Sequence, residues 1–136
     1  MTAAIREHLP NRRKNFTQKS RVGGQTVYVT FGEYEDGRLA EIFVDLSKAG
    51  SALRALMNTV AVFLSIGIQH GVPLNLYIEA IRGKQFLPCG TVTGSQNVEH
   101  ACSILDWLAQ ELQQSYPDGK AGGLAEATPN QELPKS

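Results

Sequence analysis

Cysteine, histidine and tryptophan are scarce in this chain: two cysteines, three histidines and one tryptophan among 136 residues. Cys89 and Cys102 are too few for a secreted scaffold built on disulfides, and they form no Cys-x-x-Cys pair for zinc. His8, His70 and His100 have no metal-ligand spacing, so no metal site is expected. Net charge is also lacking, with 13 Lys+Arg against 13 Asp+Glu. That balance excludes a uniformly basic nucleic-acid coat protein and leaves only local patches. The length points to one small domain, short of the roughly 200 residues that a barrel enzyme with its own cofactor cleft needs. The first residues, Met1 to His8, lack the apolar core of a secretory signal, so a cytoplasmic protein is expected. Charge is missing altogether from Ala55 to Ile78, a length that would cross a bilayer. Asn58, Thr59, Ser65, Gln69 and His70 interrupt that run, and Gly71-Val72-Pro73 breaks it. A buried core helix, with no membrane partner, is the expectation.

What charge there is lies unevenly. Residues 1–21 hold Arg6, Arg12, Arg13, Lys14, Lys19 and Arg21 against Glu7 alone. Residues 22–114 carry five basic and nine acidic groups. A basic mobile arm over 1–20, a folded domain over 21–114 and a disordered tail over 115–136 are predicted. The tail has Pro117, Pro129, Pro134 and several glycines but little apolar surface to offset ordering entropy.

Within the domain, Thr26 to Phe31 alternates as a half-buried strand does. Glu35-Asp36-Gly37 is a hairpin turn, and Leu39 to Leu46 is the partner strand. There Ala40, Ile42, Val44 and Leu46 face one way, while Glu41, Phe43 and Asp45 face the other. A central core helix is predicted from Ala52 to His70, with Ser51 as its N-cap. Its polar stripe is Ser51, Arg54, Asn58, Ser65 and Gln69. A second helix follows from Leu74 to Arg82, then a loop from Gly83 to Gln96, then a last helix from Asn97 to Gln114. The expected class is α+β: an N-terminal β-hairpin, a small antiparallel sheet, packed on about three helices with disordered termini.

Four features bear on chemistry. Gly90-Thr91-Val92-Thr93-Gly94-Ser95 precedes the last predicted helix. Gly90, Thr91, Thr93, Gly94 and Ser95 are therefore an anion-binding candidate, with Ser95 or Asn97 as a helix cap in the plainer reading. It lacks the Gly-Lys-Ser/Thr ending of a phosphate loop. Arg12, Arg13, Lys14, Lys19 and Arg21 are a polyanion-binding candidate. Cys89, after Pro88, is a loop thiol open to redox chemistry, whereas Cys102 belongs to a helix's apolar face. Glu33, Glu35, Glu41 and Asp45 could pair as acids, although alternation on an exposed strand gives the same pattern. No catalytic residue stands out.

The order of these segments resembles a known family. Arg12-Arg13-Lys14 leads into the hairpin. Gly32-Glu33-Tyr34-Glu35-Asp36-Gly37 and Glu41-Ile42-Phe43-Val44 follow. Lys48-Ala49-Gly50-Ser51 opens the long helix, and Gly71-Val72-Pro73-Leu74 closes it. Phe86, Pro88 and Gly90 precede Ser103-Ile104-Leu105-Asp106-Trp107-Leu108. This is similar to the TSCPD domain found near the C-terminus of adenosylcobalamin-dependent (class II) ribonucleotide reductases. The Thr-Ser-Cys-Pro-Asp string that names the domain is absent; Pro88-Cys89-Gly90 is the nearest cysteine context. In those reductases the radical chemistry and the cobalamin and nucleotide sites lie in a large barrel that this chain lacks. The resemblance thus implies no catalytic residue and no cofactor bound here, adenosylcobalamin belonging to the full-length relatives. It implies an accessory module linked to deoxyribonucleotide and DNA synthesis, docking on a reductase large chain or forming a homodimer. Tyr28 and Phe43 on the outer sheet face are the expected contacts. The alternative is a nucleic-acid or nucleotide-binding module that uses the basic arm beside Tyr28.

Overall fold

The structure, a computed structural model, describes residues 6–11 and 13–121. Two antiparallel hairpins open it. Strand β1, Lys14–Val22, turns through Gly23 and Gly24 into β2, Gln25–Glu33. Both turn glycines have positive φ, 56° and 88°, as a two-residue hairpin of matching twist requires. β2 then pairs with β3, Leu39–Leu46, across the turn at Gly37. Helix α1, Ser51–Gln69, and helix α2, Leu74–Ile81, follow. Strands β4, Gly90–Thr93, and β5, His100–Ala101, precede helix α3, Ile104–Ser115. The five strands form one sheet in the order β3-β2-β1-β4-β5.

One face of that sheet builds the core. Val22, Val27, Val29, Phe31, Ile42, Val44 and Leu46 pack with Met57, Leu64 and Ile68 of α1 and with Trp107, Leu108 and Leu112 of α3. Alternation holds for Ala40, Ile42, Val44 and Leu46, which are all buried. The α+β class with three helices is the observed one.

Several expectations are corrected. Lys14 to Ser20 do not belong to a mobile arm; they form most of β1, paired with β2 along its length. Their polar side chains hid a strand whose order comes from backbone pairing. Residues 6–10 are also placed. The Arg38 guanidinium grips Glu7 at 2.7 and 2.8 Å, and the Tyr34 hydroxyl donates to the Glu7 carbonyl at 2.6 Å. The tail begins later than 115. Tyr116 is buried with its hydroxyl on Glu33 at 2.6 Å, and the Leu39 amide donates to the Lys120 carbonyl at 3.0 Å. The predicted disorder of 122–136 lies outside the described residues, as do Met1 to Ile5. Ser51 is not the N-cap of α1; Gly50 holds that position without a side-chain bond. The last helix starts at Ile104, seven residues later than expected, because β5 occupies the preceding stretch and the Ser103 hydroxyl accepts the Asp106 amide at 3.0 Å.

The largest correction concerns α1. It is long and apolar enough to cross a membrane, yet it is a helix with one buried face: Met57, Ala61, Leu64, Ile68 and Gln69 are buried, whereas Leu56, Val62, Phe63 and Ile66 are exposed. Its polar stripe points at the free edge of β3. The Ser65 hydroxyl accepts the Ile42 amide at 2.8 Å and lies 3.1 Å from the Ile42 carbonyl. The Gln69 amide donates to the Ala40 carbonyl at 3.0 Å. These side chains do what a further strand would do and cover an edge that would otherwise recruit one.

Candidate functional site

The outer sheet face is the part of the domain that the core does not use. Strand alternation places Thr17, Lys19 and Arg21 of β1 there, with Thr26, Tyr28 and Thr30 of β2 and Phe43 and Asp45 of β3. Cross-strand rows run Thr17–Thr30–Phe43 and Lys19–Tyr28–Asp45. The two threonine hydroxyls bond at 2.9 Å, and the Lys19 ammonium stands 5.9 Å from the Tyr28 ring centre. Phe43 is 49% exposed.

Two adjoining hollows share Tyr28. A groove of about 590 Å³ between this face and the start of α1 is lined by Tyr28, Thr30, Phe43, Asp45, Arg54 and Asn58. Arg54 bridges it to Asp45 at 3.0 Å, but both side chains are more than half exposed, so the pair contributes little. A basic cleft of about 340 Å³ is lined by Lys19, Arg21, Gln25, Thr26, Tyr28 and Lys48. Lys48 has a φ of 62°, the one positive value among the described non-glycine residues. Aromatic rings beside cations on an open sheet suit an anionic or flat partner.

The predicted site residues are scattered. Of the polyanion candidates, Lys19 and Arg21 meet in the basic cleft. Arg13 instead forms an ion pair with the buried Glu41 at 2.5 Å. Lys14 lies on the opposite face by alternation, and Arg12 lies outside the described residues. The Gly90–Ser95 segment does not open a helix. Gly90–Thr93 is β4, whose Thr91 carbonyl accepts the Gly23 amide at 3.0 Å. A side chain at Gly94 would press on the Lys19 carbonyl. The Ser95 hydroxyl donates to Glu111 at 2.7 Å while accepting from the amides of Asn97 and Val98. Cys89 is exposed and Cys102 half-buried.

Sequence reasoning missed the buried carboxylates. Glu41, expected to face solvent, is buried on the outer face against Gly32, where any Cβ would collide with it. Asp106 accepts from the Arg82 guanidinium at 2.5 Å, from the Gly83 and Cys102 amides at 2.7 and 2.9 Å, and from the Gln110 amide at 3.1 Å. Burial works against its ionisation, but the two backbone donors and Arg82 outweigh burial and hold the carboxyl below its usual range. The Ser103-x-x-Asp106 spacing, a capping signature, was the available signal. At the hairpin turn, burial first and then the Glu7 carboxylate push the Tyr34 phenol up to about 12, against the pull of Arg38. Arg38 itself also bonds Asp36 at 2.7 Å, so the Tyr34–Arg38 turn is a clasp holding residues 6–10. Each of these groups is engaged in holding the fold together.

Comparison with known proteins decides the family. The pattern of the TSCPD domain matches residues 2–116. The chain belongs to the TSCPD domain family. Similar proteins include vitamin B12-dependent ribonucleotide reductases of Bradyrhizobium diazoefficiens and Agrobacterium fabrum. Each is 50% identical over 111 residues, covering 82% of this chain and 9% of the relative. The reductase of Rhodopirellula baltica is 33% identical over 114 residues, 84% of this chain and 11% of that protein. This TSCPD chain therefore spans between about a tenth and a fifth of the length of the curated relatives it matches. No solved structure matches it.

The relatives' cofactor does not fit the hollows described above. Clefts of about 300–1,000 Å³ hold drug-sized ligands, and a corrin with its nucleotide and adenosyl arms is larger. The groove beside Tyr28 and Phe43 is about 590 Å³ and open to solvent.

Proposed function

We propose that this TSCPD chain is a non-catalytic accessory module of deoxyribonucleotide synthesis that docks on the large chain of a vitamin B12-dependent ribonucleotide reductase through its outer sheet face. The observation that carries this reading is the Tyr28–Phe43 surface: an aromatic groove left open on a sheet whose other side is closed core. The 50% identity to one small segment of such reductases supports the choice of partner. The engagement of Glu41, Asp106 and Glu111 in structural bonds supports the absence of catalysis by this chain alone. Exposed aromatics at a groove are the side chains from which interface hot spots are built. The test is binding of the purified chain to a reductase large chain by surface plasmon resonance. Tyr28→Ala and Phe43→Glu should each weaken binding tenfold or more. Binding unaltered by both, or no binding at all, would overturn the proposal.

A second reading has its own support in the basic cleft, where Lys19, Arg21 and Lys48 line the same hollow as Tyr28. Bound to single-stranded nucleic acid, the bases would stack on Tyr28 while the cations neutralise phosphates. Fluorescence anisotropy with a labelled oligonucleotide would then show affinity falling steeply with salt. The Lys19→Ala, Arg21→Ala double variant should reduce the logarithmic salt slope by about 1.4, for two fewer single-strand phosphate contacts. A salt-independent signal removes this reading.

A further inference from the structure

Helix α1 turns a charge-free face to solvent. Ala52, Ala55, Leu56, Thr59, Val62, Phe63 and Ile66 are all exposed. Their spacing of three and four residues places them on one side of the helix. Leu56 is 63% exposed, Val62 44%, Phe63 66% and Ile66 43%. The opposite side, Met57, Ala61, Leu64 and Ile68, lies in the core. The single polar group on the exposed face, the Thr59 hydroxyl, is turned back onto the Ala55 carbonyl at 2.8 Å. A contiguous apolar face of this kind marks an interaction surface.

The order of side-chain sizes along the face says what covers it. Reversed end for end about Thr59, the helix sets Ala52 against Ile66, Ala55 against Phe63, Leu56 against Val62, and Thr59 against itself. Small residues meet large ones at both ends, and medium ones meet near the middle. A two-fold axis is the symmetry that brings each residue i to j and each j to i. We infer that α1 is a homodimer interface: two copies of this chain pack their α1 helices antiparallel, with the axis at Thr59.

Three further points agree. The face carries no charge, so two copies meet without like-charge repulsion. Antiparallel packing lays each helix's positive N-terminal end beside the other's negative C-terminal end. The seven residues expose on the order of 500 Å² per copy, so the pair would bury about 1,000 Å² in all, the lower bound of a specific interface. A lipid surface fits less well, since membrane-surface helices flank their apolar face with Lys and Arg, and α1 has Arg54 alone. Ala55 also borders the groove beside Tyr28 and Phe43, but no residue of the sheet lies on this helix face, so the inference rests on the helix surface and not on docking on a reductase.

Sedimentation of the 136-residue chain from about 1 to 200 μM tests it, with a micromolar dissociation constant expected for so small an area. Phe63→Glu, at an exposed site, should keep the wild-type circular dichroism spectrum and weaken dimerisation at least tenfold. In a Cys89→Ser background, Thr59→Cys should cross-link with itself under mild oxidation. Ala55→Cys should not cross-link alone but should do so when mixed with Phe63→Cys. A single-chain mass at every concentration would overturn the proposal, as would a dimer indifferent to Phe63→Glu. A dimer in which Thr59→Cys never cross-links would overturn the antiparallel register. Monomers that float with phosphatidylcholine vesicles would assign the face to lipid instead.

Discussion

Helix α1 has one charged residue, Arg54, among 19 and buries five of them; α3 has Asp106 and Glu111 among 12 and buries seven. The more apolar helix is thus the more exposed one. The difference lies in what each helix touches. α3 packs under the sheet and against α2, and its two carboxylates enter the interior with donors already waiting for them. α1 lies along β3, where its polar stripe is needed to bond the strand edge, and its other apolar side is left without cover. Burial follows the placement of donors and acceptors as much as hydrophobicity.

Substitutions can break this comparison, beginning with the largest effect. Trp107→Ala in α3 removes a fully buried ring and should cost about 3–5 kcal/mol in urea unfolding. A loss near zero would show that α3 is not the buried helix. Asp106→Asn should cost about 2–3 kcal/mol, since it weakens hydrogen bonds to a buried charge. It should also change the acid limb. The folded carboxyl titrates below its ordinary 3.8, so its contribution is full above that value and is lost as pH falls through the lower folded one. Unfolding curves of the Asn variant should be flatter in that range, and an unchanged acid limb would remove the Asp106 hub from the account.

Smaller effects sharpen the picture of α1. Ser65→Ala leaves the Ile42 amide at the β3 edge without its partner and should cost about 1–2 kcal/mol. If the polar stripe were merely solvated, the cost would vanish. At high pH the Tyr34 clasp should weaken. A phenol raised from 10.0 to about 12 gives stability that is full below pH 10 and lost as pH rises toward 12. Tyr34→Phe should abolish that alkaline loss in thermal melts. The smallest effect belongs to the exposed face. Phe63→Ala, measured at high dilution where single chains prevail, should shift stability by less than about 0.5 kcal/mol. A core-sized cost there would mean that the face is already covered within one chain.

Much of the fold was legible. The second hairpin, Gly37 at its turn, both short-range helix breaks and the inward alternation of β3 follow from period and turn chemistry. β1 was missed because Lys14, Gln18, Lys19 and Arg21 look like a solvated arm; the Gly23-Gly24 pair was the overlooked hairpin signal. The outer-face placement of Tyr28 and Phe43 was legible from strand alternation, but the dispersal of the basic cluster was not. Lys14 parts company with Lys19 and Arg21 once a strand sends alternate side chains to opposite faces, and Arg13 is taken up by the buried Glu41.

By itself the sequence determined the second hairpin, the two helices that follow it, the family pattern and the apolar repeat of α1, because these depend on residues a few positions apart. Tertiary structure alone decided that Glu41 and Asp106 would be buried, that Ser65 and Gln69 would serve a strand edge, and which side of α1 would face water. Those outcomes depend on groups far apart in the chain, and the free energy of a buried polar atom is set by the partner it meets there.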